Sequence, residues 1–168
     1  MIGRARRCAQ GPGGYSLIEV VVASAIGAML MTGLTSVILT SVRATTTASN
    51  RIEASSQIRS FQYFAYDDFA RSQVPADCPG PSLPGCVFLH GPTPSAGDYT
   101  VIYSWDGASI LQRQVVGNGP PKRVASNVTV FSWYLVGTSP RQTCVITLTV
   151  KVGSYAASQT FLFYPQLQ

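Results

Sequence analysis

Gly13-Gly14-Tyr15-Ser16-Leu17-Ile18-Glu19-Val20-Val21-Val22-Ala23 places a lone carboxylate at the head of an apolar run. From Val20 to Val42 there is no Asp, Glu, Lys or Arg. That run of about 23 residues makes roughly 35 Å of helix, enough to cross a bilayer with some tilt. A charged group deep in lipid costs about 2.5–3.5 kcal/mol or more, so it faces a partner rather than hydrocarbon. Cutting the chain after Gly14 would create such a partner, an α-amino group on Tyr15.

Gly14 followed by Tyr15-Ser16-Leu17-Ile18-Glu19-Val20 resembles the class III signal of type IV prepilins and pseudopilins. The resemblance covers Arg4–Val42 and is only architectural beyond it. It implies cleavage after Gly14 and N-methylation of Tyr15 by a prepilin peptidase/N-methyltransferase. It also implies that Glu19, preceded by Leu17 and Ile18, pairs with the amine of a neighbouring subunit during assembly. The implied partners are other pilin or pseudopilin subunits, an inner-membrane assembly platform and membrane lipid. Tyr15 stands where the family more often has Phe, and the helix lacks the proline of many major pilins.

Small residues cluster on the apolar run. Ala23 and Gly27 are four apart, so they share a face and permit close helix approach. Alone they fit a simple anchor; beside Gly14 and Glu19 they fit a filament. Arg4, Arg6 and Arg7 satisfy the positive-inside rule, which would keep the leader cytoplasmic and everything after Val42 outside. A discarded secretory signal has an apolar core of about 7–15 residues, shorter than this one.

The net charge is +5 for the whole chain. Three of the twelve basic groups lie in the leader, so the mature part would have nine against seven acidic groups. That imbalance is too small to argue for nucleic acid, and direct nucleic-acid binding is not expected. Arg113, Lys122, Arg123 and Arg141 read as solvated turn charges. Asp67 and Asp68 point about 100° apart on a helix and read as a solvated face, not an acid/base pair.

Five segments are expected: a leader at 1–14, an assembly helix at 15–42, an amphipathic continuation at 43–73, a Pro/Gly-rich loop at 74–97 and a β domain at 98–168. In the continuation Ala54, Ile58, Phe61, Ala65 and Phe69 recur at three- and four-residue steps. One helix from Ser16 to near Ser72 would span roughly 80 Å at 1.5 Å per residue. Strands are expected at Tyr99–Trp105, Ser109–Val116, Val124–Val136, Thr143–Val152 and Gln159–Tyr164, with a short one at Val87–His90. Asp106-Gly107 reads as a hairpin turn. The fold class is therefore α+β, a long N-terminal helix packed on a C-terminal antiparallel sheet.

Outside the cytoplasm thiols tend to pair. Cys78 and Cys86 bracket a turn-rich loop and are the favoured disulfide. Cys144, on the apolar side of a strand, reads as a buried free thiol. Spacing does not set connectivity, so pairing of Cys144 with either stays open.

No catalytic constellation is found. His90 is the only histidine, and it reads as a strand end. Cys78, Cys86 and His90 match no standard zinc spacing, and Asp77 or Asp98 with Asp67 and Asp68 lack a calcium-loop pattern. No metal or cofactor is expected. The function expected is a structural minor subunit, similar to larger minor pilins or J-type pseudopilins, held in the inner membrane and then in a pilus or secretion pseudopilus. The alternative is a single-pass binding or adhesin domain that never polymerises.

Overall fold

The computed structural model describes residues 14–73, 75–76, 85–91, 100–138 and 142–164. One helix, α1 (Leu17–Ala70), is followed by seven strands: β1 (Cys86–His90), β2 (Thr100–Trp105), β3 (Leu111–Val115), β4 (Lys122–Ala125), β5 (Val128–Val136), β6 (Thr143–Val152) and β7 (Tyr155–Phe163). All pairings are antiparallel. The architecture is the expected α+β arrangement. Contacts divide the chain after Ala44.

The two parts of α1 bury nothing and one face, respectively. Up to Val42 its large apolar side chains are exposed on every side. From Ala54 on, one stripe is buried: Ala54, Ile58, Phe61, Ala65, Asp68 and Phe69. Apolar all round suits lipid, whereas an apolar stripe suits packing on a sheet.

Two sheets, not one, receive that stripe: a four-stranded sheet in the order β1-β2-β3-β4 and a three-stranded sheet in the order β5-β6-β7. The single strand expected at Val124–Val136 is broken at Ser126-Asn127. Asn127 adopts φ 57°, a left-handed turn conformation that Asn tolerates better than other side chains. Gln57 Oε1 accepts the Ser126 N–H at 2.9 Å, and the Asn127 carbonyl accepts the Lys151 N–H at 2.8 Å. The turn is thus held by helix and sheet together, and β4 and β5 go to different partners.

One turn and one strand start also differ from expectation. Trp105 pairs with Leu111, so the β2–β3 connection is longer than a two-residue turn. Asp106 Oδ1 accepts the N–H groups of Ala108, Ser109 and Ile110 at 2.8–2.9 Å. Those bonds, led by Ile110, hold the Asp106 carboxyl below its usual range. At the other turn Gly153 takes φ 57° and Val152 pairs directly with Tyr155. This tight glycine turn starts β7 at Tyr155, four residues before the expected Gln159.

Phe61 stands where the layers meet. Its ring packs edge-on against Tyr103 of β2 at 5.6 Å, Phe131 of β5 at 6.0 Å and Phe161 of β7 at 5.3 Å. One turn or two further on, Phe69 stacks on Phe163 at 4.4 Å and on Tyr103 at 6.0 Å. From the sheets, Cys144, Ile146, Leu148 and Val150 of β6 all point into this core. Gly85 approaches so closely that a Cβ would lie 2.7 Å from the Phe131 carbonyl oxygen. Beside it the Trp133 indole N–H donates to the Cys86 carbonyl at 2.9 Å, tying β5 to β1.

Phe61→Ala removes a ring shared by both sheets and is expected to cost about 3–5 kcal/mol. Denaturant unfolding of the detergent-solubilised chain, followed by Trp105 and Trp133 fluorescence, measures it.

Candidate processing and assembly segment

Gly14, Tyr15 and Ser16 lie outside the helix, and α1 begins at Leu17. The Ser16 carbonyl accepts the N–H groups of Glu19 at 2.9 Å and Val20 at 3.2 Å, which makes Ser16 the cap residue. Ser16 and Glu19 then stand at the cap and third helical positions, the spacing of a capping box. Glu19 is exposed in the first turn and its carboxylate meets no side chain among the described residues. A carboxylate there also complements the positive end of the helix dipole.

Further along, four hydroxyls that interrupt the apolar run are satisfied internally. Ser24 donates to the Val21 carbonyl at 2.9 Å, Thr32 to Met29 at 2.8 Å, Thr35 to Met31 at 2.8 Å and Thr40 to Ser36 at 2.9 Å. Back-bonding of this kind lets Ser and Thr sit in hydrocarbon. A Cβ added at Gly27 or Gly33 would meet nothing within 4 Å. Packing inside this chain therefore does not explain either glycine.

Residues 12–35 match the family model for the prokaryotic N-terminal methylation motif. The chain has a type IV pilin-like N-terminus. No curated protein and no solved structure matches it. Motif and apolar helix together point to a membrane-anchored chain, with one helix among the described residues long and apolar enough to cross a bilayer. Arg4, Arg6, Arg7 and Cys78 lie outside the described residues, as do Asp77, Asp98 and Arg141.

The chain also holds a buried polar cluster where solvated charges are expected from the sequence. Asp68 is 1% exposed, not solvated. Arg113 grips it with two bonds, Nε to Oδ2 at 2.6 Å and Nη2 to Oδ1 at 2.7 Å, and the Tyr103 hydroxyl donates to Oδ2 at 2.5 Å. Tyr103 and Arg113 are direct cross-strand partners on β2 and β3, so one carboxylate is held by both strands. Arg113, expected as a solvated turn charge, has a side chain only 16% exposed and lies over the Phe64 ring at 5.5 Å. Burial, then the Asp68 charge, pushes the Tyr103 phenol well above its usual range, so it remains a donor. A signal was present: Asp68 follows Phe61 by seven residues and Ala65 by three, on the buried stripe. Asp67, one position away, is exposed and pairs with Arg71 at 2.9 Å.

Elsewhere, Lys122 and Arg123 are exposed. His90 ends β1, with Nδ1 3.5 Å from Thr100 Oγ1. Among the described residues no three His, Cys, Asp or Glu side chains converge as a metal site would need. Cys86 is disulfide-bonded and Cys144 is a free, buried thiol. Burial pushes the Cys144 thiol up from 9.0 to about 12.

Asp68→Ala leaves Arg113 without its counter-ion and is expected to cost about 3–5 kcal/mol, whereas joint replacement by Leu and Met recovers most of that loss. A double-mutant cycle on unfolding free energies decides. Cys144 and Tyr103 both hold their protons more tightly folded than unfolded. The Cys144 contribution is intact below 9.0 and declines as pH rises toward about 12, whereas that of Tyr103 is intact below 10.0 and declines only above it. Cys144→Val should flatten the first part of that decline in denaturation midpoints measured across alkaline pH.

Proposed function

We propose that the chain is a minor structural subunit of a type IV pilus or type II secretion pseudopilus. Prepilin peptidase removes the leader after Gly14 and methylates the Tyr15 amine. The observation that carries this reading is Glu19, a carboxylate with no side-chain partner among the described residues at the head of a membrane-length helix, inside a matched methylation motif.

The mechanism is physical. Before assembly the helix anchors the subunit in the inner membrane, with Arg4, Arg6 and Arg7 keeping the leader cytoplasmic and the β strands outside. Cleavage leaves a positive amine one residue before the helix cap, where the helix dipole disfavours it. A neighbour's Glu19 offers the compensating charge. At about 4 Å and an effective dielectric near 20 the attraction is on the order of 4 kcal/mol before desolvation is subtracted. The larger effect is on stagger, since a misregistered neighbour leaves two unpaired charges in lipid. Ala23 and Gly27, with open space beside Gly27, allow helices to approach closely enough for that pairing. The minor role rests on the stretch ending Tyr66-Asp67-Asp68-Phe69-Ala70-Arg71 followed by hairpins, which resembles larger minor subunits.

Gly14→Val should leave the precursor band unshifted in cells containing the peptidase, while the parent chain matures to a methylated Tyr15 by mass spectrometry. Glu19→Ala should insert and mature normally yet enter filaments at least about tenfold less, the factor that about 1.4 kcal/mol commands. Undiminished incorporation of Glu19→Ala would refute the pairing.

A further inference from the structure

Among the described residues four strand edges are in principle open, and three are guarded. The outer edge of β1 is paired: Ala76 exchanges backbone bonds with Phe88 at 2.9 and 3.0 Å, and Gln73 donates to the His90 carbonyl at 2.8 Å. Short β4 carries exposed Lys122 and Arg123 just after Pro120-Pro121. The register of β5 shifts between Val128 and Val130, as at a bulge. Charges, prolines, bulges and covering segments are the usual protections against strand addition.

β7 has none of them. Tyr155-Ala156-Ala157-Ser158-Gln159-Thr160-Phe161-Leu162-Phe163 contains no charge and no proline, and it pairs with β6 over nine residues without a shift. Because Val152 and Tyr155 close a two-residue turn, the odd-numbered residues of β7 bond to β6. The even-numbered ones, Ala156, Ser158, Thr160 and Leu162, therefore turn their backbone N–H and C=O outward. All four are exposed, and among the described residues no other strand pairs with this edge.

We propose that this edge pairs with β7 of a second copy of the chain, antiparallel about a two-fold axis at Gln159. That register sets Ala156 opposite Leu162 and Ser158 opposite Thr160. Every outward-facing residue then meets another outward-facing residue, for about eight backbone hydrogen bonds. No like charges meet, since the nearest charged side chain in register is Lys151, one strand in. The occupant is a second β7 because the strand is its own complement in both bond phase and charge. The result is a six-stranded sheet, β5-β6-β7 continuing into its copy, and an isologous dimer. The pairing is independent of whether the chain enters a filament.

Gln159 is a non-hydrogen-bonded position across the new edge, where Cα atoms of opposing residues lie about 4.5 Å apart, within disulfide range. Full-length Gln159→Cys in native membranes should therefore form a covalent dimer under mild oxidation. The rate should exceed that of exposed Thr129→Cys on β5 by about tenfold or more. Adding Thr160→Lys, which places like charges diagonally across the pair, should cut the rate about tenfold. Unchanged tryptophan fluorescence would show that this solvent-facing change leaves the fold intact. Equal rates for the two cysteines overturn the proposal. So does dimerisation indifferent to Thr160→Lys, or cross-linking only to a different polypeptide.

Discussion

One helix has to satisfy two surroundings, and the change in its side-chain pattern governs the rest. Up to Val42 the apolar residues of α1 cover its whole circumference, and its hydroxyls bond back to the preceding turn. Beyond that the apolar residues narrow to a single stripe from Ala54 to Phe69. The two sheets fold onto that stripe, with Phe61 touching β2, β5 and β7. Truncating the stripe would leave two small sheets, neither with enough apolar surface to stand alone.

The last turns of α1 are fastened by charge as well as by packing. Asp68 accepts three bonds from the opposed pair Tyr103 and Arg113. A buried pair of this kind adds less net stability than its bond count implies, because both ions had to leave water. Its effect is on orientation: only one rotation of the helix puts Asp68 between those strands. The same rotation turns Asp67 outward to Arg71 and points Phe69 at Phe163.

Much of this was legible in the residues. Three- and four-residue spacing gave the buried stripe, and strict alternation gave β6. The same alternation put Cys144 on the buried side as a thiol, while leaving its pairing open, and the structure has it free. The misreadings have local causes. Charge alone puts Asp68 in solvent, whereas its place in the helical period puts it on the buried stripe. Charge does the same for Arg113, although it shares strand parity with Leu111. The break at Asn127 has little local signal, because its flanking residues favour strand on both sides. The early start of β7 followed from a turn so tight that the strand resumes at once after Ser154.

By itself the sequence determined the features that depend on neighbours along one chain. These are the motif at Gly14–Glu19, a span with no charge from Val20 to Val42, the helical stripe and the alternating strand. Each reflects a period or a local solvation cost, which needs no knowledge of distant contacts. Only the tertiary structure decided the division into two sheets, the burial of Asp68 and the open edge of β7. Those depend on which strands meet across long separations. Pairing energies are similar for many partners, so the choice is made by the shape of the shared core.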